Sequence, residues 1–149
     1  MLGMNTANEP IGILQSLIRC VSVTPDEGGA LDYLQSLLEP NGFSCTRLSF
    51  SEEGTPDVDN LFARLGNSGP HLCFAGHTDV VPPGDEMSWT IPPFAGEIVD
   101  GVIYGRGACD MKGSVAAFAS AAIDYAASCD GQLPGSISLL ITGDEEGPA

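Results

Sequence analysis

The chain has 149 residues, 43% of them hydrophobic, enough for one domain with a packed core and too few for two. Its 20 acidic side chains against 5 basic ones give a formal net charge of -15, which repels phosphate backbones and anionic membrane surfaces, so neither nucleic acid nor a membrane is expected as a partner. The same acidity is ordinary solubilising surface and does not by itself indicate a metal.

Asn8 is placed to cap a first helix, with Glu9 and Pro10 in the opening turn, Ile11, Leu14, Leu17 and Ile18 as the apolar stripe, and an end near Cys20. Pro25 and Gly28-Gly29 mark a turn. Leu31, Leu34, Leu37 and Leu38 then repeat at helical spacing until Pro40-Asn41-Gly42 ends the run. Phe43 to Phe50 reads as a strand, Ser51 to Asp59 as a polar loop and Asn60 to Leu65 as a further strand, followed by a turn over Gly66 to Pro70. His71 to Ala75 is expected to be a short buried strand. Trp89 with Pro92-Pro93-Phe94 reads as loop packing. Asp100-Gly101 between apolar pairs, in Ile98 to Ile103, predicts a tight hairpin. Met111 to Ser128 is alanine-rich and free of proline, a long helix, and Ser136 to Thr142 returns as a strand. Helices interleaved with short apolar strands predict an α/β fold, its sheet covered on two faces, with ligands gathering beyond the carboxyl ends of strands.

Five cysteines, Cys20, Cys45, Cys73, Cys109 and Cys129, are odd in number and form no C-x-x-C pair. They predict reduced thiols in a cytoplasmic protein rather than a disulfide framework or a thiolate zinc knuckle. Met1 to Pro10 lacks the basic and apolar regions of a secretory signal. The longest apolar stretch, Val115 to Ala127, is broken by Ser120 and Asp124 and is too short for a membrane span.

Three acidic or histidine-bearing positions stand at predicted strand ends and loops. His77 follows an apolar strand, and Asp79, two residues on, is near enough to hold the imidazole in one tautomer; a histidine bonded within a turn is the plainer reading of that pair. Asp110 precedes the alanine-rich helix, where it serves as an N-cap, a ligand, or both. Asp144-Glu145-Glu146 follows the last strand, and three adjacent carboxylates need either solvent or cations. Imidazole and carboxylates suit zinc, one carboxylate can bridge two cations, and a spare one can take a proton from water. The joint occurrence of the three clusters points to a metal hydrolase. Cys109 has no base near it in sequence, no Gly-x-Ser-x-Gly elbow is present, and His71 has no acidic neighbour. Arg106 and Lys112 flank Asp110 and either support the site or belong to loop packing and surface.

The segments Gly76 to Pro82, Trp89 through Phe94, Asp100 to Gly107, Asp110 to Gly113 and Gly143 to Gly147 together resemble the co-catalytic zinc deacylases and exopeptidases. That family includes acetylornithine deacetylase, aminoacylase and glutamate carboxypeptidase, and the resemblance spans nearly the whole chain. Val81 to Asp85 and Thr142 through Ala149 look most like its members that remove succinate from N-succinyl-LL-2,6-diaminopimelate in bacterial lysine and peptidoglycan-precursor biosynthesis.

The resemblance implies a zinc-exopeptidase-like catalytic domain with a mixed sheet flanked by helices. It implies two divalent metal ions, zinc first, although the same ligand types accept cobalt or manganese. By position, His77 becomes a ligand of one ion, Glu146 a ligand of the other and Asp110 the bridge. Glu145 becomes the general base and Asp79 the orienter of His77. Water then attacks the succinyl amide of a small N-acyl amino acid, and Glu145 passes the proton to the departing amine. A cis peptide at Asp110-Met111 is also implied.

In the family a further acidic ligand, a late histidine and an inserted dimerisation domain lie beyond the segments matched here. Residues 1–149 are therefore expected to be the amino-terminal part of the catalytic domain of a longer, homodimeric enzyme. The inserted domain and the carboxy-terminal part of the catalytic domain would be absent, zinc binding by the chain alone weak at best, and its turnover little or none. An acetylornithine deacetylase type of substrate is the alternative within the family. A non-catalytic module that kept the fold is the other, against which the intact His77, Asp110, Glu145 and Glu146 speak.

Overall fold

The computed structural model describes residues 9–129 and 132–147. Helix α1, Pro10–Arg19, begins on a proline, whose missing N–H costs nothing in a first helical turn. The expected Asn8 cap lies outside the described residues; Glu9 occupies the cap position with an extended backbone and no side-chain hydrogen bond. The helix buries Ile13, Leu14, Leu17 and Ile18, while Ile11 is 49% exposed, so the stripe is rotated from the predicted one. Four residues at i, i+1, i+4 and i+5 form a closer-set face than one that starts at Ile11.

Helix α2, Ala30–Leu38, has no side-chain cap at Gly29. The Glu27 carboxylate substitutes by accepting the Leu31 N–H at 2.9 Å. Strand β1, Ser44–Phe50, pairs antiparallel with β2, Val58–Leu65, which begins two residues before the predicted strand. Strand β3, His71–His77, runs two residues past its predicted end and takes in His77 itself. Strands β4, Glu97–Val99, and β5, Val102–Tyr104, form the predicted hairpin, turning on Asp100 at φ 52° and Gly101 at φ 80°, the positive pair that such a turn requires. Helix α3, Gly113–Ser128, starts two residues later than read, because Ala108–Lys112 forms a separate wide turn. Strand β6 is Ser136–Thr142, as expected.

The main sheet is mixed, in the order β1-β2-β6-β3, with β2 and β6 antiparallel and β6 and β3 parallel. Its residues Leu61, Ala63, Ile137, Leu139 and Ile141 share one face and one core cluster with α1, α2 and α3. Fully burying each such leucine or isoleucine contributes about 1.5–3 kcal/mol. Ala116, Ala119 and Ala122 let α3 approach closely, and Phe118 stacks on Phe74 at 4.4 Å between ring centroids.

Among the described residues the helices flank the sheet on that face alone. Among the described residues none covers the opposite face, where Phe50 is 63% exposed beside Leu48, Phe62 and Leu140, so the expectation of two covered faces does not hold. The expected burial of β3 fails for a related reason. It is an edge strand, paired among the described residues with β6 alone, and Leu72 is 59% exposed. All five cysteines are free thiols. No helix among the described residues is long and apolar enough to cross a membrane.

Candidate metal centre

Parallel pairing of β3 with β6 sets His77 opposite Thr142, so both strands deliver their carboxyl ends to one place. From β3 the chain continues through Thr78 and Asp79, and from β6 through Gly143 to Glu146. His77 is buried, and its two ring nitrogens face different partners. Nδ1 stands 3.1 Å from the Asp79 backbone carbonyl and 3.4 Å from the Asp79 Oδ1. Both are acceptors, so the hydrogen belongs on Nδ1 and the Nε2 lone pair is left for a cation. The bond expected from the Asp79 carboxylate is thus made chiefly by that residue's carbonyl.

Nε2 lies 3.3 Å from Asp110 Oδ1 and 3.6 Å from Glu145 Oε2. His77, Glu145 and Glu146 each offer a donor atom within 4.8 Å of the others. Donors bound tetrahedrally at about 2.0 Å from zinc stand about 3.3 Å apart, so the spacing around His77 fits a divalent cation. The Asp110 side chain is 77% exposed and that of Glu145 60%, which leaves the cluster open to a substrate on the solvent side.

Asp79 does more than was read from the sequence. Its carboxylate is fully buried and accepts the backbone N–H of Glu145 at 3.2 Å and of Glu146 at 3.0 Å. One side chain therefore fixes the loop that carries both glutamates, beside the imidazole.

Asp110 is not the N-cap of α3, a position held by Lys112 without a side-chain bond. It sits in the wide turn Ala108–Lys112, closed by the Lys112 N–H donating to the Gly107 carbonyl at 3.0 Å and non-helical at Asp110 and Met111. The Asp110–Met111 peptide is cis, as the resemblance implied. The Met111 side chain lies over Gly76, where a Cβ would come within 2.9 Å of its mobile methyl end.

Lys112 is fully buried, contrary to a surface role, and donates from Nζ to the Cys20 carbonyl at 2.9 Å. Desolvation pushes its ammonium down to about 8, and the charges of Cys20 and Asp79 oppose that fall. Arg106 belongs to loop packing: its guanidinium lies 5.1 Å from the Trp89 ring centroid, and the Trp89 indole donates to the Pro83 carbonyl. His71 is outside the cluster, with Ser136 Oγ at 2.7 Å and Ser138 Oγ at 3.0 Å.

Residues Ser22 and Thr24 escaped the sequence reading. Ser22 Oγ donates to the Thr78 carbonyl at 2.6 Å, and Thr24 Oγ1 donates to Asp144. Neither carries a motif, and the partners lie 56 and 120 residues away.

Residues 73–149, more than half of the chain, match the profile of Peptidase family M20/M25/M40. Succinyl-diaminopimelate desuccinylase of Rhodospirillum centenum is 63% identical over 143 residues, which cover 96% of this chain and 37% of that protein. The enzyme of the same name from Parvibaculum lavamentivorans is 62% identical over 141 residues, 95% of this chain and 35% of its own length. The chain thus spans little more than a third of these relatives. Among solved structures, human carnosine dipeptidase 1 superposes with a TM-score of 0.77 at 24% identity, covering 97% of this chain and 34% of that one. The M20 family metallo-carboxypeptidase Sso-CP2 from Sulfolobus solfataricus does so with a TM-score of 0.76 at 26% identity, covering 93% and 31%.

Proposed function

The chain belongs to peptidase family M20/M25/M40, and from that premise we propose that it carries the amino-terminal share of a metal-dependent amidohydrolase. The whole protein would cleave N-succinyl-LL-2,6-diaminopimelate to succinate and LL-2,6-diaminopimelate, as the names of the relatives at 63% and 62% identity indicate for those proteins. The observation that carries the hydrolase reading is the meeting of His77 Nε2 with Asp110 Oδ1 and Glu145 Oε2, on a ring whose other nitrogen is already committed to Asp79.

In this reading His77 and Glu146 would each hold one cation and Asp110 would be a ligand shared by both. Zinc is the first choice, and cobalt or manganese suit the same donors. Divalent cations supply Lewis-acid polarisation of the amide carbonyl and a lowered pKa for water. Glu145, exposed at the mouth of the cluster, takes the proton from the attacking water and delivers it to the departing amine nitrogen. Asp79 keeps the His77 ring in its ligand tautomer and holds Glu145 and Glu146 by their backbone amides.

Further metal ligands, the groups that read the succinyl carboxylate and a dimer-forming domain belong to the remainder of a cytoplasmic homodimer, and the 149-residue chain alone turns over little or nothing. The test is amide hydrolysis by the whole protein, reconstituted with zinc, on N-succinyl-LL-2,6-diaminopimelate and N-acetylornithine, beside the 149-residue chain. Strong preference of the whole protein for the succinyl substrate is expected. Preference for N-acetylornithine would move the substrate, turnover on neither would remove the hydrolase reading, and robust activity of the 149-residue chain would refute its dependence on other parts.

A further inference from the structure

The segment that leaves α1, Cys20 to Thr24, touches no reacting group, yet it is bonded to all three parts of the candidate centre. Its Cys20 carbonyl accepts from Lys112 Nζ at 2.9 Å, two residues after Asp110. Ser22 Oγ donates to the Thr78 carbonyl at 2.6 Å, next to His77. The Val80 N–H donates to the Ser22 carbonyl at 2.8 Å and the Thr24 N–H to the Val80 carbonyl at 3.1 Å, so Val23 and Val80 form a short parallel bridge. At the far end Thr24 Oγ1 donates to Asp144 Oδ1, immediately before Glu145 and Glu146. One five-residue strap thereby spans loops that are far apart in sequence.

The last of these contacts has space reserved for it. A Cβ on Gly147 would run into Asp144 Oδ1 and stand 2.9 Å from Thr24 Oγ1. A larger residue at 147 would force a shift in the Asp144 carboxylate, the Thr24 hydroxyl or the backbone that carries it. The Asp144 side chain is bonded to the strap, while the amides of the next two residues are held by Asp79. The loop bearing Glu145 and Glu146 is therefore gripped from both sides. Asp79 holds its backbone from the β3 side and Thr24 holds its first side chain from the strap.

We propose that Thr24 is a positioning residue, whose hydroxyl, through Asp144, fixes Glu145 and Glu146 at cation-binding distance from His77, with Gly147 as the space that permits the contact. This rests on the metal-centre reading above, and its test separates the two.

The whole protein is prepared as wild type, Thr24→Val, Thr24→Ser and Gly147→Ala. Amide hydrogen exchange of Glu145 and Glu146 is followed without metal, and cobalt(II) binding by visible absorbance. Thr24→Val and Gly147→Ala are each expected to speed exchange of those two amides about tenfold, with Ile137 to Ile141 unchanged. They should weaken cobalt binding about tenfold. Thr24→Ser, which restores the hydroxyl, should stay near wild type. Wild-type exchange at Glu145 and Glu146 in both Thr24→Val and Gly147→Ala would overturn the proposal, as would a Thr24→Ser variant as loose as Thr24→Val. If Thr24→Val loses protection along Ile137 to Ile141 as well, Gly147→Ala decides. Failure of wild type to bind cobalt would count against the metal reading, while the exchange data would still judge the strap.

Discussion

The buried Asp79 carboxylate receives the Glu146 backbone N–H at 3.0 Å, across 67 positions of sequence. A carboxylate with no exposure has no water to fall back on, so its two oxygens and the amides they accept depend on one another. This makes Asp79 the residue on which ring orientation and glutamate placement both depend.

Asp79→Asn replaces one of those oxygens by an NH2 group that faces an N–H donor. The expected cost is about 1–3 kcal/mol of stability, the penalty of an unmet buried polar group. Zinc affinity is expected to drop about 10–100-fold, as for other residues that orient a ligand. Denaturant melts and zinc titration check both, and a variant equal to wild type in each would show that the two amides do not need the charge.

Glu145→Gln in the whole protein keeps the size of the side chain and removes its basicity. Turnover should fall about 10²–10⁴-fold, while metal content by elemental analysis stays at the wild-type ratio. A variant that loses metal in step with activity would make Glu145 a ligand rather than the base.

Zinc should raise the melting temperature of the whole protein and a chelator should reverse the rise. Binding to the folded state alone contributes about 2.7 kcal/mol at a hundredfold excess over Kd. His77→Ala should reduce the shift, because Nε2 is the nitrogen that Asp110 and Glu145 surround. An undiminished shift in His77→Ala would place the cation elsewhere among the carboxylates.

Alkaline pH offers a check on packing away from the centre. Burial, and then the charge of Glu39, push the Cys45 thiol above its ordinary 9.0. A folded value above the unfolded one means that the thiol's contribution is fully present below pH 9 and is lost as pH rises through the folded value. The stability difference between wild type and Cys45→Ala should therefore be flat to about pH 9 and change only above it. A difference that is constant to pH 11 would mean that the thiol titrates alike in both states.

Much of this was legible along the chain because it is local. The Asp100-Gly101 hairpin, the leucine spacing of α2 and the strand Ser136–Thr142 each carry their signal within a few residues. His77, Asp110, Glu145 and Glu146 could be read as candidates for the same reason, and the structure brings all four together. What failed was set by distant partners. The exposure of Leu72 depends on which strands flank β3, and the rotation of α1 toward Ile13 depends on where α2 and α3 lie. Asp110 read as a helix cap because residues alone do not show the wide turn that detaches it from α3. Thr24 was invisible, since a threonine in a loop has no period and its partner is 120 residues away.

The parallel ladder between β3 and β6 also makes the centre depend on a long-range closure. Strands that run parallel cannot be joined by a short turn, and here 58 residues separate His77 from the first residue of β6 in chain order, so a long loop must close before either carboxyl end meets the other. His77 and Glu146 become neighbours only once that closure is complete. An unfolded chain offers a cation scattered carboxylates and a lone imidazole, and the centre exists only where the parallel pair has zipped.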